Sequence, residues 1–229
     1  KTKKALIITA LSLVLVGLLV YRAAELWAFK KWDKLQGIRK ELTAVELTKL
    51  MGNGINLGNT MEAYGHASLG TNAAVSSYET LWGQPVTTQE MITAMKNSGF
   101  DTIRIPVAWT NTMNFESGDY TIREDWFARV EEIVGYAMNE NMYVIVNDHW
   151  DGSWWGMFGS ATAKTRQKAM DMYISMWTQI AERFKNYSDY LIFESANEEL
   201  GDRLNDQDIA KDSGTLSTNE CYEITNKIN

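Results

Sequence analysis

The stretch LIFESANEE, residues 191 to 199, carries a strand-like apolar run into Asn197 and the carboxylates Glu198 and Glu199. A carboxyl group on a partly apolar rim can hold a proton at neutral pH and deliver it to a leaving oxygen. The same residues also suit a helix start, with Asn197 as N-cap and acids in the first turn. Locally the two readings balance. Other polar residues stand in similar places. Arg104 interrupts the apolar run FDTIRIPV (100–107), where a charge needs a carboxylate partner, and Glu194 offers one. Asn147 and His149 follow YVIV, and Asn56 and Asn59 lie in GINLGNTMEA. Trp109, Trp150, Trp154 and Trp155 follow strands or sit in the loop DHWDGSWWGMFG, where they either stack on a flat ligand or pack beneath the loop.

Positioning such residues needs a regular scaffold, and the pattern supplies one. Thr43 and Glu46 have capping-box spacing and predict a short helix ending before Gly52; Thr87 and Glu90 predict a second, through Met95, closed by Gly99. Trp126, Phe127, Val130, Ile133, Val134, Ala137 and Met138 recur at helical spacing, as do Ala169, Met172, Tyr173, Met176, Trp177, Ile180, Ala181 and Phe184. Strands are expected at 54–57, 100–107, 143–146 and 190–193. Strands alternating with helices require a parallel sheet covered by helices. A nucleotide-binding open sheet would carry a G-x-G-x-x-G turn after its first strand, which GINLGNTMEA lacks. In a closed barrel, by contrast, the polar residues after each strand converge on one rim.

Composition narrows the function classes. The 229 residues are 45% hydrophobic and 22% charged, enough to bury a core. A formal net charge of -7 argues against a nucleic-acid partner, which needs clustered Lys and Arg. A single cysteine and two histidines offer no zinc-site spacing, so no metal or cofactor is expected. Lys1, Lys3 and Lys4 precede an uncharged run from Ala5 to Tyr21, closed by Arg22. This reads as a signal anchor in preference to a cleaved signal peptide. The expected organisation is an anchor or signal over 1–22, a spacer over 23–41 and a folded domain over 42–229. The domain is expected to work outside the cell, secreted or held at the membrane.

GINLGNTMEA, FDTIRIPVAW, VIVNDHWDG and LIFESANE, in that order and spacing, resemble the first four strands of glycoside hydrolase family 5. The resemblance implies a (β/α)8 TIM barrel, of which about the first four βα units are present. It implies hydrolysis of β-1,4 bonds in a β-glucan polysaccharide such as cellulose, by a retaining mechanism. Glu198 then matches the acid/base catalyst and Asn197 the residue holding the sugar 2-hydroxyl. Arg104 orients the nucleophile carboxylate, His149 contacts the sugar before the cleavage point, and Asn59 lies on the rim. Two departures stand out: Glu199 occupies a place where the family often has proline, and Trp150 one where it often has a second histidine.

A retaining glycosidase needs a second carboxylate about 5 Å from the first. By resemblance it lies near the end of the seventh strand, and Glu62, Asp148, Asp151 and Glu194 match no such motif. The 229 residues are therefore expected to be the front part of a longer chain, inactive alone. Mannan, xyloglucan and mixed-linkage glucan are alternative substrates. A non-catalytic glycan-binding protein is an alternative of a different class. A metal-dependent barrel hydrolase is disfavoured by the lack of paired histidine ligands.

Overall fold

The computed structural model describes residues 41–149, 151, 154–198, 200, 201, 204 and 216–228. The expected anchor, most of the spacer, and Trp150 lie outside the described residues. No helix among the described residues is long and apolar enough to cross a membrane.

Helix α1, Ala44–Leu50, opens on the predicted capping box. The Thr43 N–H donates to Glu46 Oε2 at 2.8 Å, and the Glu46 N–H donates to Thr43 Oγ1 at 3.2 Å. Strand β1, Gly54–Asn56, follows, then the short helices α2, His66–Leu69, and α3, Val75–Glu79. Helix α4 spans Gln89–Asn97 and starts one residue later than the spacing predicts. Its N-cap is Thr88, because the Thr87 N–H is already committed to Glu79 Oε1 at 2.7 Å. Gly99, at φ +96°, makes the left-handed turn that releases the chain from α4 into strand β2, Thr102–Ile105.

Helix α5, Glu124–Asn139, and helix α6, Ala163–Phe184, flank strand β3, Tyr143–Asn147. Strand β4, Leu191–Glu194, and helix α7, Thr218–Ile228, complete the described chain. The strands pair in the order β1-β2-β3-β4, all parallel. Right-handed crossovers through helices are the usual way to join such strands. Among the described residues β1 and β4 each pair on one side only.

Alternation along the strands divides the sheet into two faces. Ile103 and Ile105 of β2 and Val144 and Val146 of β3 are fully buried in one core with Trp126, Val130, Ile133 and Val134 of α5 and Met172, Met176 and Ile180 of α6. Each such side chain contributes about 1.5–3 kcal/mol on leaving water. That outweighs the weak helix propensity of Val130, Ile133 and Val134. Asn56, Arg104 and Ile145 are in register across β1, β2 and β3, and Asn147 is in register with Glu194. These belong to the other face.

One buried ion pair fixes the outer layer to the core. Glu79, with a side chain 1% exposed, accepts from Arg129 Nε at 2.9 Å and from Nη2 at 2.8 Å. The same Nη2 donates to the Thr87 carbonyl at 2.7 Å, so α3, α5 and the segment before α4 share one guanidinium. Breaking such a pair from one side leaves an uncompensated charge. Glu79→Ala is expected to lower unfolding free energy by about 3 kcal/mol in urea titration; a loss under about 0.5 kcal/mol would contradict this role.

Candidate active site

The polar face begins with Arg104. Its neighbours Ile103 and Ile105 are sealed in the core, so the alternation of β2 sends Arg104 to the opposite face. There the Arg104 side chain is 18% exposed and its guanidinium meets Glu194, at the end of β4, in a bidentate pair. Arg104 Nε donates to Glu194 Oε2 at 2.7 Å and Nη2 to Oε1 at 2.6 Å. Burial resists ionisation of Glu194, but the hydrogen bond and charge of Arg104, with Asn147 and His149 adding to them, hold its carboxyl below the usual range. Arg104 Nη2 also donates to Asn197 Oδ1 at 3.0 Å. The helix-cap reading of Asn197 gives way accordingly, since its side-chain oxygen serves the guanidinium.

The segment after β4 is held from two sides. Asn197 hangs on Arg104, and the Ser195 carbonyl accepts from the Trp177 indole N–H of α6 at 3.2 Å. Asn197 is half-buried and Glu198 exposed. On β3, Asn147 is fully buried, with Nδ2 3.1 Å from His149 Nδ1 and 3.4 Å from Glu194 Oε1. The His149 N–H donates to the Val107 carbonyl at 2.9 Å, carrying the ladder past the strand ends. Burial, then the charge of Arg104, pushes the His149 pKa down from 6.5, while Glu194 and Glu198 pull the other way. His149 is thus neutral at pH 7 and lies within the field of Glu198.

The loop after β1 closes the cluster. The Leu57 N–H donates to the Arg104 carbonyl at 2.8 Å, and Asn59 takes a left-handed conformation at φ 61°. Glu62, buried beneath this loop, accepts from the Asn59 N–H at 2.5 Å and the Thr60 N–H at 2.9 Å. Burial raises its pKa against those two N–H groups and Arg104. Asn59 itself is exposed. β2 and the ends of β3 and β4 thus bring together an exposed carboxylate, an anchored amide, a neutral imidazole and a fixed guanidinium, beside the loop after β1.

A family model described as cellulase (glycosyl hydrolase family 5) matches residues 64–219. The chain belongs to glycosyl hydrolase family 5. It is 39% identical over 191 residues to an endoglucanase A of Clostridium longisporum, covering 82% of this chain and 34% of that protein. It is 34% identical over 190 residues to a xyloglucan-specific endo-beta-1,4-glucanase of Bacteroides ovatus, covering 83% and 35%. Among solved structures it is similar to a broad-specificity endoglucanase from Ruminococcus champanellensis with bound cellotriose, at TM-score 0.68 and 34% identity. That match covers 83% of this chain and 51% of that one. The chain thus spans about a third to a half of the length of these relatives, and its four parallel strands fit part of a (β/α)8 barrel.

Within this family 5 fold, Trp109 and Trp154 need correction as ligand-stacking residues. Both are 0% exposed. Trp109 lies 5.4 Å from the Phe127 ring, with its indole N–H on the Asn147 carbonyl at 2.9 Å. Trp154 stacks on Trp155 with centroids 4.4 Å apart. A sealed ring has no face for a sugar. The His66 ring packs 4.9 Å from that of Phe115. Asp151, which matches no nucleophile motif, is buried and accepts from the Thr110 N–H at 3.0 Å, tying the loop after β3 to the loop after β2. The sequence places Asn147 directly after the apolar run of β3 and two residues before His149 but gives it no role; the structure supplies one, in its contacts to His149 and Glu194. Among the described residues no group of three or more His, Cys, Asp or Glu side chains could hold a metal.

The ion pair has a pH signature. Glu194, with its pKa held down, contributes stability present above its unfolded value of about 4.3 and lost as pH falls through the folded value. His149, also held down, costs stability as pH falls below about 6.5. Glu62 and Asp151, both raised by burial, act oppositely, losing their contribution as pH rises. Arg104→Met is expected to cost about 2 kcal/mol at pH 7, below the fully buried range because Glu194 is partly solvated. The deficit should shrink as pH falls from 7 through the folded pKa of Glu194, below which its carboxyl is protonated in both proteins. Urea titrations across that range check it; equal stabilities at pH 7 would refute it.

Proposed function

We propose that this rim is the acid/base side of a site cleaving β-1,4-linked glucans with retention. Glu198 is the proton donor to the leaving oxygen and then the base that activates water. Asn197 binds the sugar 2-hydroxyl, where hydrogen bonds strengthen as the oxocarbenium-like transition state forms. His149 and Asn59 contact the ring, and Arg104 holds Asn197 in place while favouring the ionised form of carboxylates around it. The carrying observation is the exposed Glu198 next to an Asn197 already fixed on the Arg104–Glu194 pair, at the carboxyl end of a parallel strand, the usual location of barrel active sites.

The substrate class rests on the relatives, whose names include endoglucanases and a xyloglucan-specific enzyme. Mannan and mixed-linkage glucan share the chemistry, and the selection among them lies in subsite contacts. The burial of Trp109 and Trp154 counts against a purely aromatic binding cleft.

The nucleophile is not among the acids described on this rim. Glu194 is committed to Arg104, Glu62 to the loop after β1, and Asp148 and Asp151 are buried beneath the surface. The 229 residues alone are therefore expected to release no reducing ends from soluble cellulose. In a protein that supplies the second carboxylate, Glu198→Gln is expected to lower kcat/KM on cellulose, which reports the step that protonates the leaving oxygen, by about 10²–10⁴. The loss should be much smaller on a cellobioside with an acidic phenol as leaving group, which needs no proton. Equal losses on both substrates would contradict the proton-donor role.

A further inference from the structure

We infer that Asn147 is a positioning residue that decides which nitrogen of His149 carries the proton, leaving Nδ1 bare and placing the N–H at Nε2. The guanidinium of Arg104 can only donate. Both oxygens of Glu194 receive its N–H groups, at 2.7 and 2.6 Å, so this carboxylate is ionised and can only accept. Glu194 Oε1 lies 3.4 Å from the Asn147 side-chain amide. Turned the other way, that amide would set oxygen against oxygen with no proton between them. The NH2 must therefore face Glu194.

The same NH2 lies 3.1 Å from His149 Nδ1, and its two hydrogens can serve both acceptors. A ring nitrogen facing an N–H donor must accept, so the proton of the neutral imidazole sits on Nε2. Neutrality follows from the surroundings. Burial and Arg104 on β2 disfavour the imidazolium, against Glu194 on β4 and Glu198 beyond it. Asn147 is sealed from solvent, and its carbonyl is engaged by the Trp109 indole, so its backbone cannot shift to relax the choice. The orientation leaves Asn147 Oδ1 buried without a partner among the described residues. The two facing acceptors outweigh that cost.

The charge state of Glu194 thus passes through one amide and fixes the polarity of His149. A ligand atom meeting Nε2 must be an acceptor, such as a hydroxyl oxygen. That last step rests on the glycan reading above; the tautomer does not.

The chain has two histidines, His66 and His149, so both rings can be read by long-range 1H–15N correlation in the intact protein. The ring signal lost in His149→Gln identifies His149. At pH 7.5 it is expected to show a protonated Nε2 and a bare Nδ1. Asn147→Asp places a carboxylate against Nδ1, and is expected to move the proton there and raise the His149 pKa by about one unit or more while His66 stays unchanged. Glu194→Gln, which frees the amide to turn, is expected to give both tautomers. A wild-type ring protonated on Nδ1, or evenly mixed, overturns the inference even if neither variant folds. Added cellotriose that leaves an Nε2–H ring unmoved would count against the glycan reading and leave the lock standing.

Discussion

A guanidinium cannot shed its charge, and Arg104 is set on a strand whose adjacent residues are locked in the core. Glu194, Asn197, Asn147 and His149 at the strand ends are organised by that constraint. Glu194 must stand opposite it, which fixes the relation of β4 to β2 across the intervening strand. The remaining N–H of Nη2 then reaches Asn197 and orders the segment that presents Glu198. The side of Glu194 turned to β3 dictates the orientation of Asn147, and Asn147 in turn dictates His149. An apolar residue at position 104 would fill the face as well, but it would give the rim nothing to hang from.

Much of the scaffold was legible because it rests on local rules. Short apolar runs marked the four strands and a 3.6-residue spacing the long helices within a few residues, since a segment that must be buried shows it at the period and length of its element. The Thr43 capping box formed as spaced, whereas the one at Thr87 slipped by a residue. The difference is tertiary: the Thr87 N–H is captured by Glu79, a residue distant enough in sequence that no local pattern contains it. The Arg104–Glu194 pair was legible for the opposite reason, because a charge inside each of two apolar strands leaves few other solutions.

The tryptophans show where sequence stops informing. The sequence leaves Trp109, Trp154 and Trp155 open between stacking on a ligand and packing beneath the loops, and all three seal the underside of the loops after β2 and β3. Loop composition does not say which way a side chain faces, and a large ring beneath a glycine-containing loop buries as much area as one on a strand. Asp151 was opaque for the same reason, since its partner Thr110 lies 41 residues away on another loop. Edge pairing is a further property outside local pattern. Among the described residues β1 and β4 each keep one unpaired side, which a barrel removes by closure.

The central claim is that one guanidinium couples the sheet to the segment bearing Glu198. A double-mutant cycle tests it most directly, with unfolding free energies measured for the wild type, Arg104→Met, Asn197→Ala and the double variant. A charge-assisted hydrogen bond at 3.0 Å, partly solvated, predicts a coupling of about 1 kcal/mol. Additive losses, with a coupling near zero, would mean that Asn197 is held by something other than Arg104 and would contradict the account.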